Sequence, residues 1–338
     1  MKLTPGKRKG MEAVSDSHGV IAAAAMDQRG SLKSAIAKDK GIDKNAVTKE
    51  MMSEFKEAVV RVLTPHASAI LLDPEYGLSA AKQRAKNAGL LLAYENSGYD
   101  NTRPGRLPDL LDHYSVPRLV ADGADCIKIL LYYSPFDSAE INDTKHAWVE
   151  RIGGECVAAD VPFFLEFVGY EAGVDEKGLE FAKKKPFVVI KSMEEFSKPQ
   201  YAVDVLKVEV PVTMAFVKGT RSCKGDSAYS RDEAKDHFRE AAAVAKKPFI
   251  YLSAGVSNDT FTETLDLASE TGVNFSGVLC GRATWKDAIP VYGKQGPKAL
   301  EDWLSDQGVK NIKNVNGRLT AAKPWFSFYG VSSAAALV

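Results

Sequence analysis

The sequence of 338 residues lacks the cysteine and histidine patterns of disulfide-stabilised and zinc-binding proteins. Its four cysteines are far apart and form no CxxC pair, and its five histidines show no HxH or HExxH spacing. The cysteine pattern is typical of a reducing compartment, and the histidine pattern argues against a histidine-bound zinc ion. We therefore predict a cytoplasmic protein without such a metal site.

Net charge and long apolar runs are also missing. The 44 Lys and Arg residues balance 44 Asp and Glu residues, so no net field attracts the chain to nucleic acid or to an anionic membrane. No apolar stretch approaches the length that crosses a bilayer, and Met1–Arg8 is not followed by the apolar core of a signal peptide. We expect neither nucleic acid nor a membrane as a partner.

Short apolar runs bounded by turn residues recur along the chain, with helix-like segments between them. Ser230 and Glu233 match a capping box, Ser257 offers a second N-cap, and Gly272 can end the helix that follows. The same step from helix to glycine to strand is predicted at Gly89. The apolar runs predict eight strands, near residues 20–27, 68–73, 89–95, 126–133, 162–168, 205–210, 248–253 and 277–282.

Eight strands that alternate with helices, without a linker or a short repeat, predict an α/β fold of the (β/α)8 TIM-barrel type in a single domain. A doubly wound open sheet is the competing architecture. Such a sheet usually carries a glycine-rich phosphate loop after its first strand. Here the first strand ends in Met26-Asp27-Gln28-Arg29-Gly30, which is not GxGxxG, and the sequence therefore favours the barrel.

Three ionisable residues stand inside apolar strand-like runs, where charges are seldom buried without a partner or a function. They are Lys207 in VLKVEV, Lys128 in CIKIL and Glu166 in FFLEFV. A lysine in a strand can simply neutralise a buried glutamate, so neither lysine alone identifies a site. Parallel barrels, however, hold their functional side chains at the carboxyl ends of the strands. The three residues together indicate one shared site.

Side chains alternate along a strand, so Val205, Lys207 and Glu209 are predicted to share the face that looks into the barrel. Other charged residues are predicted to be solvated. Asp73 and Glu75 flank Pro74 in a turn, and the run 183–185 of three lysines is typical of an exposed surface. Glu95 ends a predicted strand, and the sequence Asn96-Ser97-Gly98 that follows fits a turn and a site equally well.

Two lysines and a carboxylate at one barrel end favour imine chemistry. A lysine amine attacks a carbonyl only when neutral, and with a pKa of about 10.4 roughly one in two thousand molecules is neutral at pH 7. Burial and a neighbouring ammonium group both disfavour the charged form of an amine. A carboxylate nearby can shuttle the protons of carbinolamine formation, dehydration and carbon–carbon cleavage. Glu166, on the strand between those of Lys128 and Lys207, is the candidate.

The loops after the seventh and eighth predicted strands carry a signature of phosphate binding. Such loops often present backbone N–H groups to a phosphate in barrels of this type. Ser253 can donate a hydroxyl, Gly255 and Gly281 allow close backbone approach, and Arg282 can pair with the dianion. The sequence therefore predicts a phosphate site at these two strand ends.

Six segments carry a resemblance to a known family, and together they run colinearly along the chain to about residue 325. On these segments the sequence resembles the class I tagatose-1,6-bisphosphate aldolases. The resemblance implies a metal-independent (β/α)8 barrel without a cofactor, which cleaves tagatose 1,6-bisphosphate reversibly to dihydroxyacetone phosphate and glyceraldehyde 3-phosphate. The segments are AMDQRG at 25–30, LLDPEYG at 71–77, LLLAYE at 90–95, DVLKVEVP at 204–211, YLSAGV at 251–256 and GVLCGRATW at 277–285.

The resemblance also implies roles for individual residues. Lys207 would form the Schiff base with the ketose C2, Lys128 would be its cationic neighbour, and Glu166 would transfer protons. Asp27 and Gln28 would orient hydroxyls and the amine. Arg29 would bind the distal phosphate, although it could equally make a structural ion pair at the barrel rim. The phosphate at C1 would be held by Ser253, Gly255, Gly281 and Arg282.

The chain departs from the family pattern in two regions. Residues 169–198 are only loosely similar and could alter substrate choice, and residues 326–338 extend past the usual end. We therefore predict a barrel domain over 1–325 and a tail of unassigned role over 326–338, which could dock on the barrel or on a partner subunit. The resemblance implies a homo-oligomer that binds small sugar phosphates.

Three functional alternatives remain open at the level of sequence. The first is a ketose-bisphosphate aldolase with loose selectivity at C4. The second is a related aldolase for another ketose phosphate, such as sulfofructose 1-phosphate, because replacing the distal phosphate mainly changes the basic groups at the far end of the pocket. The third is a sugar-phosphate sensor without turnover, which the charged residues on the strands argue against.

Overall fold

Eight parallel strands close into a barrel in the computed structural model, which describes residues 3–337. The strands pair in chain order, and the last strand pairs with the first. The predicted TIM barrel is thus confirmed, while Met1, Lys2 and Val338 of the predicted barrel and tail lie outside the described residues. The strands are β1 Ile21–Met26, β2 Ala69–Leu72, β3 Gly89–Ala93, β4 Cys126–Tyr133, β5 Phe163–Gly169, β6 Val205–Val208, β7 Phe249–Leu252 and β8 Gly277–Cys280.

Helices surround the barrel and join its strands. The helices are α1 Pro5–Ala13, α2 Gly30–Lys40, α3 Lys49–Leu63, α4 Leu78–Ala81, α5 Val116–Ala121, α6 Ala139–Ala158, α7 Leu179–Phe196, α8 Arg231–Val244, α9 Asn258–Thr271, α10 Arg282–Trp285, α11 Ile289–Gln295, α12 Pro297–Trp303 and α13 Val309–Asn316. Within residues 3–337, no helix has the length and apolar character needed to span a membrane.

The predicted helix ends are confirmed for α8 and α9. The Ser230 side chain accepts from the backbone of Glu233 and the Glu233 side chain accepts from the backbone of Ser230, which completes the capping box. Ser257 caps α9 through the backbone N–H of Thr260, and Gly272 ends that helix with φ +70°.

Gly89 has a different role from the predicted one. The preceding helix, α4, ends at Ala81, and Gly89 is the first residue of β3 and does not have a positive φ. A Cβ at this position would lie 2.3 Å from the carbonyl oxygen of Ala13 at the end of α1. Glycine is therefore required here because the strand passes close to another backbone segment.

Two apolar cores follow from the alternation of side chains along the strands. Leu206 and Val208 belong to the large core between the sheet and the helices, whereas Val205 belongs to a second core inside the barrel. This confirms the predicted orientation of β6 for Val205 and its neighbours. The interior core contains one or more residues of every strand, among them Ala25, Leu71, Ala93, Cys126, Phe164, Val205, Ile250 and Leu279.

The chain after α13 closes the N-terminal end of the barrel. Trp325 is almost fully buried in the interior core, and its backbone N–H donates to the carbonyl oxygen of Gly19 at 2.9 Å. Leu337 lies in the same core, and its carbonyl oxygen accepts from the backbone of Leu3 at 2.6 Å. The final segment thus packs against α1 and the strand starts of its own barrel. The domain boundary at residue 325 stays a prediction.

Replacing Trp325 by alanine should lower the free energy of unfolding by about 3–5 kcal/mol, because it removes a large buried side chain from the barrel end. Urea unfolding followed by circular dichroism measures this loss. The matched control is Phe136→Ala, which truncates an aromatic side chain that is about half exposed and should cost less than about 1 kcal/mol. Equal midpoints for Trp325→Ala and the unaltered chain would show that the final segment does not stabilise the barrel.

Candidate active site

A layer of charged side chains covers the interior apolar core at the carboxyl ends of six consecutive strands. Each charged residue lies two positions after an interior residue, so the strand alternation directs both into the barrel. All six lie at the ends of predicted strands, although Asp73 was expected to be solvated, and the structure brings them together. The layer consists of Asp27, Asp73, Glu95, Lys128, Glu166 and Lys207.

Lys207 and Glu166 are neighbours across the pair of strands β5 and β6. Their Cα atoms are partners in the strand register, and Lys207 Nζ donates to Glu166 Oε2 at 2.7 Å. Both side chains are buried. Lys207, the predicted amine, and Glu166, the predicted proton carrier, are thus in direct contact. Their separation is short enough for a proton to pass between them.

Lys128 is the centre of the charged layer. Its Nζ lies 2.8 Å from Asp27 Oδ2, 2.9 Å from Glu95 Oε1 and 2.9 Å from Glu166 Oε2. The side chain is fully buried, and burial alone would lower the pKa of Lys128. The three carboxylates outweigh burial and hold that pKa well above its ordinary value. Lys128 is therefore a permanent cation next to the Lys207–Glu166 pair.

The carboxylates around Lys128 differ in their protonation behaviour. Burial raises the pKa of Glu166, but the charges of Lys128 and Lys207 reverse this effect and place the pKa below its ordinary value. The same opposition of burial against Lys128 and Lys207 lowers the pKa of Asp27. For Glu95 burial prevails over Lys128 and Arg29, and its pKa is raised. Glu166 is therefore ionised at neutral pH and can accept a proton.

Arg29 forms the ion pair that its sequence context allowed as an alternative. One terminal nitrogen donates to Glu75 Oε2 at 3.0 Å, and the other donates to the carbonyl oxygen of Glu95 at 2.8 Å and lies 3.6 Å from Glu95 Oε1. Burial lowers the pKa of Arg29, but Glu95 and Glu75 raise it overall. Both terminal nitrogens are therefore occupied, and binding of the distal phosphate by Arg29 stays a prediction.

Asp73 is not the solvated turn residue that its position beside Pro74 suggested. It is fully buried, and its carboxylate pairs with Lys56 of α3, whose Nζ also donates to the carbonyl oxygens of Met26 at 2.7 Å and Gln28 at 2.9 Å. Sequence reasoning missed Lys56. The available signal was its place on the buried face of an amphipathic helix, four residues after Met52. This pair fixes the backbone that carries Asp27 and Gln28.

Some polar atoms in and next to this layer have no hydrogen-bond partner among the described residues. They are Glu95 Oε2 of the layer itself and, directly after Asp27 in the chain, Gln28 Oε1 and Arg29 Nε. Because buried polar atoms in proteins are rarely left unpaired, such atoms are candidates for contacts with ligand hydroxyls. The predicted role of Gln28 in orienting hydroxyls is compatible with this arrangement and stays a prediction.

The four predicted phosphate residues lie together at the ends of β7 and β8. Ala254 and Gly255 have positive φ values of +48° and +76°, which turn the chain sharply after Ser253. A Cβ on Gly255 would lie 2.7 Å from Arg282 Cζ, and a Cβ on Gly281 would lie 2.8 Å from the carbonyl oxygen of Ala25. Glycine thus permits the close approach of Arg282 to residue 255 and of the Ala25 backbone to residue 281. Their binding of a phosphate stays a prediction.

Lys286 is a further cation beside the predicted phosphate residues, and sequence reasoning missed it. Its Nζ donates to the carbonyl oxygen of Gly255 at 3.1 Å, and the side chain is half-buried. The residue follows the short helix α10 by one position, so the sequence around it gave no strand-end signal.

Glu209 does not look into the barrel as predicted, because β6 ends at Val208 and the alternation stops there. Its Oε2 accepts from the backbone of Gly169 at 2.8 Å, and its Oε1 lies 3.1 Å from Lys185 Nζ. Lys185 is correspondingly buried on α7, so the prediction of an exposed lysine run holds for Lys183 and is wrong for Lys185. This pair ties the end of β5 to the helix that follows it.

Within residues 3–337, no group of three or more His, Cys, Asp or Glu side chains is arranged to hold a metal ion. The carboxylates that do converge have the ammonium group of Lys128 between them.

Comparison with known proteins gives a family and relatives of nearly full length. A family model described as DeoC/LacD family aldolase matches residues 21–287. A tagatose 1,6-diphosphate aldolase of Listeria monocytogenes is 51% identical over 332 residues, which cover 98% of this chain and 96% of that protein. Tagatose 1,6-diphosphate aldolase 2 of Enterococcus faecalis is 52% identical over 327 residues, with coverage of 96% and 97%.

Two solved structures share the fold at low sequence identity. Fructose-bisphosphate aldolase from Plasmodium falciparum, solved with TRAP and a small-molecule inhibitor, has a TM-score of 0.66 at 13% identity and covers 98% of this chain and 97% of its own. A Schiff base forming fructose-1,6-bisphosphate aldolase has a TM-score of 0.51 at 14% identity, with coverage of 87% and 97%. At such identities the likeness concerns the barrel fold alone. The family model and the full-length relatives go further: the chain belongs to the DeoC/LacD family of aldolases.

Proposed function

We propose that the chain is a Schiff-base, metal-independent aldolase that reversibly cleaves D-tagatose 1,6-bisphosphate to dihydroxyacetone phosphate and D-glyceraldehyde 3-phosphate. The observation that carries this proposal is the buried contact between Lys207 and Glu166 beside the cation Lys128. The substrate is supported by the relatives of 51% and 52% identity, which are named tagatose 1,6-diphosphate aldolases.

The reaction begins with attack of the neutral Lys207 amine on the ketone carbon C2 of the substrate. A carbon–nitrogen bond forms, the carbonyl oxygen takes up a proton from solvent water, and the nitrogen loses one. Glu166, 2.7 Å from the amine, accepts the proton from nitrogen and returns a proton to the departing hydroxyl. Water leaves, and the product of this half-reaction is an iminium ion at C2.

Cleavage uses the iminium ion as an electron acceptor. A base removes the proton of the C4 hydroxyl, a carbonyl group forms at C4, and the electron pair of the C3–C4 bond moves towards the iminium nitrogen to give an enamine. The aldehyde product then leaves. Protonation at C3 and addition of water at C2 release dihydroxyacetone phosphate and restore the Lys207 amine. We assign the role of this base to Glu166, which is supported by its lowered pKa and by its contact with the Lys207 amine at 2.7 Å.

Lys128 acts by holding Glu166 in place and in its charged form. It contacts the same carboxylate oxygen that accepts from Lys207, at 2.9 Å. Asp27 and Glu95 complete the contacts of the Lys128 ammonium group and keep it from moving towards the substrate. Lys128 is thus a positioning residue in this proposal, and Lys207 is the nucleophile.

The phosphate at C1 is assigned to Ser253, Gly255, Gly281 and Arg282, which the close packing of Arg282 on Gly255 supports. A sugar phosphate is accordingly the small-molecule partner. Assembly into a homo-oligomer and residence in the cytoplasm stay predictions, as does the assignment of residues 326–338 to a separate tail.

The substrate assignment is tested by comparing kcat/KM for D-tagatose 1,6-bisphosphate, D-fructose 1,6-bisphosphate and sulfofructose 1-phosphate. We expect cleavage of both bisphosphates, because imine chemistry at C2 does not require one configuration at C4, and we expect EDTA to leave the rates unchanged. Cleavage of sulfofructose 1-phosphate without cleavage of either bisphosphate would show that the alternative substrate class is the right one. Absence of cleavage of all three substrates would favour a sensor. Loss of activity with EDTA would contradict the metal-independent mechanism.

Lys128→Met should lower the free energy of unfolding at pH 8 by about 3–5 kcal/mol, because three carboxylates, of which Glu95 and Glu166 are buried and Asp27 is 11% exposed, lose their shared cation. Without it, burial raises their folded-state pKa values above the unfolded ones. The destabilisation is then full well above those pKa values and shrinks as the pH falls through them.

Urea unfolding of this variant and of the unaltered chain at about pH 8 and about pH 5.5 measures the effect. Lys207→Met is the matched control, since it leaves Glu166 in contact with Lys128 and should cost less. A loss of equal size at both pH values would mean that the carboxylates do not depend on Lys128 for their charge.

A further inference from the structure

The segment between β3 and α5, residues 94–115, is an ordered excursion at the carboxyl end of the barrel. Glu95 and Leu110 form an antiparallel bridge, and the backbone N–H of Leu111 donates to the carbonyl oxygen of Tyr94 at 3.1 Å. Further along, the backbone N–H of Asp100 donates to the carbonyl oxygen of Leu107 at 3.1 Å. The tip of this excursion is therefore held in a defined place at the end of the barrel that carries active sites.

Arg106 stands near this tip in an unusual backbone conformation. It has φ +47° and follows Gly105 at φ +94°, where a Cβ would lie 2.5 Å from Ile141 of α6. A non-glycine residue in the left-handed region costs conformational free energy and commonly marks a functional position. Here the guanidinium group lies beside the ends of β4 and β5, next to Tyr132 and Tyr170.

Three tyrosine rings support the Arg106 guanidinium group. Its Cζ lies 4.2 Å from the ring centre of Tyr170, 5.1 Å from that of Tyr99 and 5.6 Å from that of Tyr132. Arginine stacks well on aromatic faces while its N–H groups stay free to bind an anion. The tyrosines therefore position the group without using its hydrogen-bond donors.

Tyr99, Tyr132 and Tyr170 together form a platform for Arg106. A buried ion pair fixes the hydroxyl end of the Tyr170 ring. Lys145 is fully buried on α6, and its Nζ donates to Asp137 Oδ2 at 2.9 Å and to the Tyr170 hydroxyl at 3.0 Å. The Tyr170 hydroxyl also donates to Asp137. Every polar group behind the ring thus has a partner, and the ring is held in one orientation.

The platform faces the charged layer from the side opposite the C1-phosphate loops. Tyr132 lies four residues after Lys128 on β4, so alternation puts it on the same interior face. In the closed strand order β4 lies opposite β8, which precedes Gly281 and Arg282. A ketose joined to Lys207 at C2, with its first phosphate at β7 and β8, would extend its far end away from those loops, towards β4 and β5.

The current partner of Arg106 is exchangeable. Its guanidinium group pairs with Glu176 on the loop after β5, and the two side chains are 23% and 41% exposed. Arg29, the other arginine near the site, is 5% exposed and has both terminal nitrogens occupied. An incoming dianion can replace an exposed carboxylate far more easily than it can break a buried ion pair.

We propose that Arg106, on its platform of Tyr99, Tyr132 and Tyr170, binds the substrate phosphate remote from C1 and exchanges Glu176 for it. This assignment rests on the proposed function, because it takes C2 of a ketose bisphosphate to be joined to Lys207.

The test compares kcat/KM for D-tagatose 1,6-bisphosphate with that for D-tagatose 1-phosphate, which lacks the distal phosphate, in four proteins. These are the unaltered chain, Arg106→Gln, Glu176→Gln and the control Arg103→Gln, which removes an exposed arginine of the same excursion. Arg106→Gln should lower kcat/KM for the bisphosphate by about tenfold or more, mainly through KM, and leave the monophosphate unchanged. Glu176→Gln should raise kcat/KM for the bisphosphate by about two- to fivefold, because it removes a competing anion.

An equal loss on both substrates in Arg106→Gln would overturn the assignment and give Arg106 a purely structural role. A loss of bisphosphate cleavage in Glu176→Gln, or an effect of Arg103→Gln as large as that of Arg106→Gln, would overturn it as well. In each of these cases the unaltered chain still cleaves the bisphosphate, so the proposed function stands. Absence of cleavage of both substrates by the unaltered chain would instead reject the proposed function and this assignment with it.

Discussion

The burial of two lysines among carboxylates at one end of the barrel is the constraint on which the site depends. An ammonium group out of water is stable only with close anionic partners, and Lys128 has three of them within 2.9 Å. These three contacts stabilise Lys128 as a fixed cation. Lys207, in contrast, forms an ion pair with one carboxylate, that of Glu166. The two lysines thereby acquire different roles although they occupy equivalent positions on their strands.

The same constraint links the chemistry to the fold. Asp27, Glu95 and Glu166 reach one ammonium group only because their strands close into a ring with this register. Small interior residues such as Ala25 and Ala93 lie beneath the charged layer. Packing of the final segment at the opposite end buries the apolar interior of the barrel there.

Much of this arrangement could be predicted from the sequence because it follows from local patterns. The apolar runs located all eight strands, and alternation placed Val205 and Lys207 on the interior face. The prediction for Glu209 was wrong because β6 ends at Val208, one residue before Glu209. Pairing with the neighbouring strands sets this length. Asp73 and Lys185 were wrongly expected to be solvated because their partners, Lys56 and Glu209, are distant in sequence. Arg106 gave no signal, since its position depends on tyrosines from three separate segments.

Reductive trapping shows whether the Lys207 amine bonds covalently to the substrate ketone. The protein is treated with sodium borohydride in the presence of dihydroxyacetone phosphate, digested, and mapped by mass spectrometry. We expect a single reduced adduct on the peptide that carries Lys207, and none in Lys207→Met. An adduct on Lys128 instead, or full protein labelling in Lys207→Met, would contradict the account.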